Sequence, residues 1–211
     1  RPDRVAVLRV PSISASNQDA EAIHAAVHRA LEARATKLVL DLRHTEGGTP
    51  FATASAAGAF LERVPLTLVN KAGVRWTYLF QNGDSSLERS DQPGKRETDQ
   101  LATPALWKGP LVTLVSERTV SAGENLALLL QNAGRAKVVG APTRGGAGVG
   151  ANLFNLSSGA RLLVATHLHL TPDGKRYPTR VSPDLEVAAD LEALGKGQDV
   201  VLEAAVKLSG N

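Results

Sequence analysis

An α/β fold, with a mostly parallel sheet and helices packed on it, is the class this sequence predicts. Three observations carry that expectation. The short apolar runs Lys37-Leu-Val-Leu-Asp-Leu42 and Gly109-Pro-Leu-Val-Thr-Leu-Val115 read as strands covered on both faces. Each is followed by a turn and then by residues at helical spacing. The 211 residues are 43% apolar and 21% charged, the balance of a globular chain long enough to enclose its own core.

In chain order, residues 4–10 alternate loosely as a strand, and residues 17–34 set Ala20, Ile23, Val27, Ala30 and Leu31 on one helical face. The buried strand at 37–42 leads into the turn-forming His44-Thr-Glu-Gly-Gly48 and a helix from about Pro50 to Arg63, with Thr49 as its cap. Residues 65–69 and 74–81 read as strands, the latter with Trp76, Tyr78 and Phe80 on one face. Residues 82–103 are polar and punctuated by Gly and Pro, and are expected to be a surface excursion. After the strand at 109–115 comes a helix from Ser121 to about Ala133, a strand end at 137–140 and a four-glycine stretch at 144–150. Residues 160–170 alternate as a half-exposed strand, Thr171-Pro-Asp-Gly174 is a turn, and residues 200–208 close with a helix. The two long helices that follow buried strands should cover one face of the sheet.

Composition removes several functions. Without Cys there are no disulfides, thiolate nucleophiles or Cys-ligated zinc. The net charge of +3 is spread over scattered cations and only 4% of residues are aromatic, so no nucleic-acid partner is expected. No apolar run approaches the roughly 18 residues that span a bilayer, so membrane insertion is not expected either. A chain without Met that runs from Arg1 straight into a strand suggests one core domain, residues 1–211, cut from the C-terminal part of a longer precursor.

Chemistry in α/β proteins collects where strand ends meet helix starts, and two such corners stand out: His44 to Gly48 and Ser116 to Ala122. Consecutive glycines let main-chain N–H groups approach a ligand closely, and a helix start carries unpaired N–H groups. Together they suit an oxyanion, with Ser121 beside it as a nucleophile. Ser121-Ala-Gly-Glu124 is also an S-x-x-E capping box, and Gly47 and Gly48 also suit a plain turn. His24 and His28 belong to an amphipathic helix. His167 and His169 alternate along a strand, a spacing that could bind a metal but lacks a third ligand, and no metal is assigned. Asp41 and Arg43 read as an internal ion pair or main-chain clamp rather than as acid and base.

Leu38-Val-Leu-Asp-Leu-Arg43 followed by Gly47-Gly48 resembles the signature of the C-terminal-processing (tail-specific) serine peptidases. So do Pro110 to Val115, Thr119-Val-Ser-Ala-Gly-Glu124, Gln131-Asn-Ala-Gly-Arg135, Val138-Val-Gly140 and Pro142-Thr143, with Thr171-Pro-Asp-Gly174 and Pro183-Asp184 like the closing turn and strand. The match runs over residues 4 to 187 and is most similar to the branch of tricorn protease and the interphotoreceptor retinoid-binding protein. The resemblance implies a crotonase-like or ClpP-like core, peptide or unfolded-protein substrates, no metal or cofactor, and an extracytoplasmic or periplasmic setting. It implies Ser121 as nucleophile, with Ala122 and Gly47 or Gly48 supplying the oxyanion N–H groups. It also implies a gap: Gly146 stands where the tail-specific branch has its Lys base. In the tricorn-like branch the base is a His from an upstream domain of the same chain, assisted by a Glu, and residues 176–182 contain no Glu. His44, in the glycine loop, is the local candidate for a substitute base. A serine peptidase is the leading reading, and an inactive module binding peptide or apolar ligand is the alternative.

Overall fold

A computed structural model describes residues 3–14 and 17–208; Arg1, where the precursor cut is expected, lies outside them. In chain order the elements are β1 (Val5–Arg9), α1 (Gln18–Glu32), β2 (Lys37–Asp41), α2 (Pro50–Ala57), β3 (Arg63–Asn70), β4 (Arg75–Gln81), β5 (Asp84–Arg89) and β6 (Arg96–Gln100). They continue as β7 (Leu111–Val115), α3 (Ala122–Asn132), β8 (Lys137–Gly140), β9 (Val149–Asn155), β10 (Arg161–Leu170), β11 (Leu185–Glu186), α4 (Leu191–Gly195) and α5 (Val200–Lys207).

The expected parallel sheet is present, with five strands in the order β1-β2-β7-β8-β11. Its strands alternate strictly. Leu38, Leu40 and Leu42 pack with α1, α2 and α3 on one face, whereas Val39, Val112, Leu114 and Val139 meet Val201 and Ala205 of α5 on the other. Covering both faces explains the near-continuous apolar runs of β2 and β7.

The expectation of one mostly parallel sheet needs correcting. A second sheet of six strands, in the order β6-β5-β4-β3-β10-β9, is antiparallel throughout. The reason lies in the connections, because only a long crossover can join parallel neighbours. Between β4 and β5 there are just Asn82 (φ 54°) and Gly83 (φ 88°), the left-handed pair of a tight hairpin. The segment expected to be a surface excursion therefore contains two strands, β5 and β6. Their polar residues hid them: all five residues of β6 are exposed.

Helix α2 joins the sheets. Capped by Thr49, whose hydroxyl accepts the Ala52 N–H, and begun by Pro50, it packs against α1 and α3 and against β3, β4 and β5. It ends at Ala57, short of the expected Arg63. In α1, Ala20, Ile23, His24, Val27 and Ala30 face inward, while Leu31 is 45% exposed.

Candidate active site

Because β2 and β7 are parallel neighbours, with Asp41 opposite Leu114, their C-terminal ends lie side by side and the two loops that follow must meet. Side chains then stitch the loops together. The Thr119 hydroxyl donates to Leu42 O at 2.8 Å and the Ser116 hydroxyl to Arg43 O at 2.6 Å, while the Val120 N–H reaches Thr45 O at 3.1 Å. Thr45, fully buried, donates its own hydroxyl to Val10 O. A Cβ built on Gly47 would lie 3.3 Å from Ser121 Cβ and 3.5 Å from its Oγ, so the glycine bend faces the serine directly. A Cβ on Gly48 would fall 1.2 Å from Ile13 O, so only glycine lets β1's extension pair there.

Ser121 has φ 54° and ψ −110°, a left-handed conformation for a non-glycine residue just ahead of α3. Such backbone costs on the order of 1–3 kcal/mol and persists where the surroundings over-determine it. Here Glu124 does so. Its fully buried carboxylate accepts the Ser121 N–H at 2.7 Å and the Gly146 N–H at 2.8 Å on Oε2, and on Oε1 the Gly145 N–H at 2.9 Å and the Thr143 hydroxyl at 2.5 Å. Glu124 is thus more than half of a capping box, since it ties the Ser121 corner to the glycine stretch. The Ser121 N–H is engaged, and Ala122 is the first residue of α3, where an N–H has no acceptor within the helix. A Cβ on Gly146 would sit 3.5 Å from Ser121 N, so the loop passes close to the serine without presenting a side chain.

The corner opens on a cleft of about 1260 Å³ whose floor includes Gly47, Gly48, Ser121, Ala122 and Asn125. The facing wall is the antiparallel sheet, with Leu68, Trp76, Tyr78, His167 and His169. At the far end Arg89 is held by Asp91 (2.7 and 3.0 Å) and lies 5.2 Å from the centroid of Trp76. The structure therefore brings Ser121, Ala122, Gly47 and Gly48 to one cavity. It does not bring His44 there: that side chain is exposed and does not line the cleft. The histidines that do are His167 and His169. Their shared strand face was legible in the alternation, but the serine across from it was not.

Other motif residues serve the frame. Arg43 forms bidentate contacts with Asp41 (2.8 and 2.9 Å) and with Asp199 (2.8 and 2.9 Å), the expected ion pair extended to the cap of α5. These hydrogen bonds raise its pKa further above the ordinary arginine value, against the opposing effect of burial. Gln131 donates to Asp184 Oδ2 at 3.1 Å, and that carboxylate also takes the Val138 N–H at 2.7 Å. Arg135 donates to the carbonyls of Phe60, Trp107 and Gly109. His24, buried in α1, uses both ring nitrogens: Nδ1 accepts the Ala105 N–H at 2.9 Å and Nε2 lies 3.0 Å from Ser55 O. Burial lowers its pKa.

The sequence and the fold have counterparts among known proteins. The chain is 33% identical over 169 residues to a carboxyl-terminal-processing protease of Synechocystis sp., covering 80% of this chain and 34% of that one. It is 32% identical over 138 residues to a protein of the same name from Picosynechococcus sp., covering 65% of this chain and 28% of the relative. It thus spans about a third of the length of these relatives. Its fold matches the photosystem II D1 C-terminal processing protease, with a TM-score of 0.63 at 22% identity over 91% of this chain and 46% of that one. It also matches tricorn protease, with a TM-score of 0.52 at 16% identity over 96% of this chain and 17% of that one. Residues 4–187 match the sequence profile of Peptidase family S41, and the chain belongs to that family.

Proposed function

We propose that this chain is the core of a serine endopeptidase that cleaves peptide bonds through an acyl-enzyme on Ser121. The observation that carries this reading is the contact of Gly47 with Ser121: a side-chain-free bend faces the hydroxyl of a strained residue at a helix start, on the floor of an open cleft. Attack by Oγ on a carbonyl carbon develops negative charge on the carbonyl oxygen. The N–H groups of Ala122 and of Gly47 or Gly48 are the donors for it, and such donors are typically worth about 10²–10³ in rate each. The cleft's volume of about 1260 Å³ and its sheet wall suit a polypeptide segment, the substrate that the names of the relatives also suggest.

One observation favours a second reading, an inactive module that binds peptide or apolar ligand: Gly146 contributes only its N–H where a lysine base would stand. The two readings separate in one experiment on the full-length protein, using a fluorophosphonate probe and an unfolded casein as substrate. Probe labelling and casein cleavage that both vanish in Ser121→Ala are expected. Labelling that is equal in Ser121→Ala and the parent would dispose of the peptidase reading, and binding of casein without cleavage would favour the second.

A further inference from the structure

Beside Ser121 the cleft floor holds the amide of Asn125, and the fold uses only one side of it. Its Oδ1 accepts the Gly148 N–H at 3.1 Å, which fixes the end of the amide that faces the glycine stretch. Its Nδ2, with two hydrogens to donate, has no acceptor among the described residues. The buried side-chain atoms left unpaired there are Asn17 Oδ1, Thr113 Oγ1 and His169 Nδ1, and Asn125 Nδ2 is not one of them. In a residue only 7% exposed that lines the cleft, Nδ2 is therefore the end that opens on it. Thr53, on the same floor, differs: its hydroxyl is spent on Thr49 O at 2.8 Å.

The amide is held in that orientation from behind. Gly148 has φ 71°, and a Cβ there would lie 3.0 Å from both Tyr177 O and Pro178 O, so its backbone is set by its neighbours. Its carbonyl takes the His169 N–H at 2.9 Å, which ties the same segment to β10. On its own helix the Asn125 N–H bonds Ser121 O at 2.9 Å, which sets the two residues one turn apart, about 5.4 Å along the axis. The clamp to Gly148 needs only the amide oxygen, and the NH2 group is left for a ligand.

Resting on the acyl-enzyme reading above, we propose that Asn125 binds substrate: its Nδ2 donates to a main-chain carbonyl of the polypeptide, within two residues of the bond presented to Ser121. A group that only donates selects an acceptor, and every residue of a polypeptide offers one in its carbonyl, whatever its side chain. An extended chain advances about 3.3–3.6 Å per residue, so a carbonyl one or two residues from the scissile bond covers the turn of helix between Ser121 and Asn125. The contact anchors substrate by its main chain and leaves the wall, with Leu68, Trp76 and Tyr78, to meet its side chains. An anchor that is equal in the ground state and the transition state is read in KM rather than in kcat.

The test compares Asn125→Asp with the full-length parent, because aspartate keeps the size and the oxygen that Gly148 uses and removes both donors. Folding is followed by near-UV circular dichroism. Casein cleavage gives KM and kcat, and the fluorophosphonate, which carries no peptide main chain, reports on the Ser121 corner alone. KM for casein is expected to rise about 10-fold or more, and to exceed any loss in labelling rate by at least about 5-fold, since one hydrogen bond is replaced by a carboxylate facing a carbonyl. A parental KM, or cleavage and labelling slowed in the same proportion, would overturn the assignment while leaving the Ser121 reading intact. Equal labelling of the parent and Ser121→Ala, including none in either, would remove both. If Asn125→Asp does not fold, the side-chain amide resonances of Asn125 in full-length Ser121→Ala must shift when casein is added, and unchanged resonances would overturn the proposal.

Discussion

The two sheets solve opposite problems. In the parallel sheet, five short strands are covered by helices on both faces, and the polar groups at its C-terminal edge are tied to one another: Asp41 to Arg43, Thr119 to Leu42, Glu124 to four donors. The antiparallel sheet is half open. Among the described residues it leaves His169 Nδ1 without a hydrogen-bond partner, and the β9–β10 arm exposes Leu153, Phe154, Leu162 and Leu163. A rigid frame can hold main-chain groups where charge develops, while a looser wall can accept ligands of varied shape. Perturbing each sheet should therefore yield different signatures.

The largest stability effect is expected in the frame. Arg43→Leu leaves Asp41, whose side chain is 5% exposed, with the main-chain N–H of residue 43 at 3.2 Å and the solvent-exposed Arg9 at 3.6 Å, and it leaves Asp199 only its capping bond to the Leu202 N–H. Removing one partner of a buried pair typically costs 3–5 kcal/mol; with Arg9 still near, a loss of about 3 kcal/mol is expected in urea unfolding. A loss below 1 kcal/mol would mean the frame does not depend on this network.

Next comes acid, which probes the wall. In the folded chain the His169 pKa is depressed to about 4, below the ordinary 6.5, so the unfolded state binds a proton that the native state refuses. Stability is then complete above pH 6.5 and falls as pH drops from 6.5 toward 4. A gap of about 2.5 units corresponds to about 3 kcal/mol, and partial relaxation of the site would reduce it. His24, also depressed by burial, adds to the loss in the same direction. Urea unfolding at a series of pH values should show the fall, and His169→Gln should flatten it by up to one proton's slope. An unchanged slope would contradict the buried, neutral state of that ring.

How much of this was legible beforehand follows the same division. Strands buried on both faces announce themselves by apolar runs, so β2, β7 and the corners they feed could be read directly, and with them Ser121, Ala122, Gly47 and Gly48 as neighbours. The antiparallel sheet carries weaker signals. Arg96 to Gln100 has no apolar residue at all, and the Asn82-Gly83 hairpin is a two-residue cue inside a polar stretch. The S-x-x-E box was visible, but Glu124's bonds to Thr143, Gly145 and Gly146 cross some twenty residues of chain. His44 lies beside the glycines in sequence yet points to solvent, whereas His169 lies 48 positions beyond Ser121 and lines the same cleft.

A smaller effect is expected at Ser121 itself. Glycine has no Cβ to resist φ 54°, so Ser121→Gly relieves backbone strain that Ser121→Ala retains. Both variants lose the hydroxyl, yet the glycine variant should be more stable by about 1 kcal/mol, seen as a Tm higher by about 2–4 °C in a chain of this size. Equal melting temperatures would mean that the neighbours of Ser121, Glu124 above all, do not hold it in a costly conformation.

The smallest effect belongs to the exposed arm, and it sharpens the contrast because the chemistry can be held constant. Leu40 in β2 is fully buried and Leu163 in β10 is 68% exposed. Truncating a buried leucine to alanine removes its transfer free energy and leaves a cavity, typically costing 2–5 kcal/mol. At position 163 there is little burial to lose and no cavity to create, so Leu163→Ala should shift unfolding by less than about 0.5 kcal/mol. Parallel urea melts of the two variants measure the difference. A cost at Leu163 that approaches the one at Leu40 would mean that the arm is covered in solution, and the open wall described for the cleft would then have to be redrawn around whatever covers it.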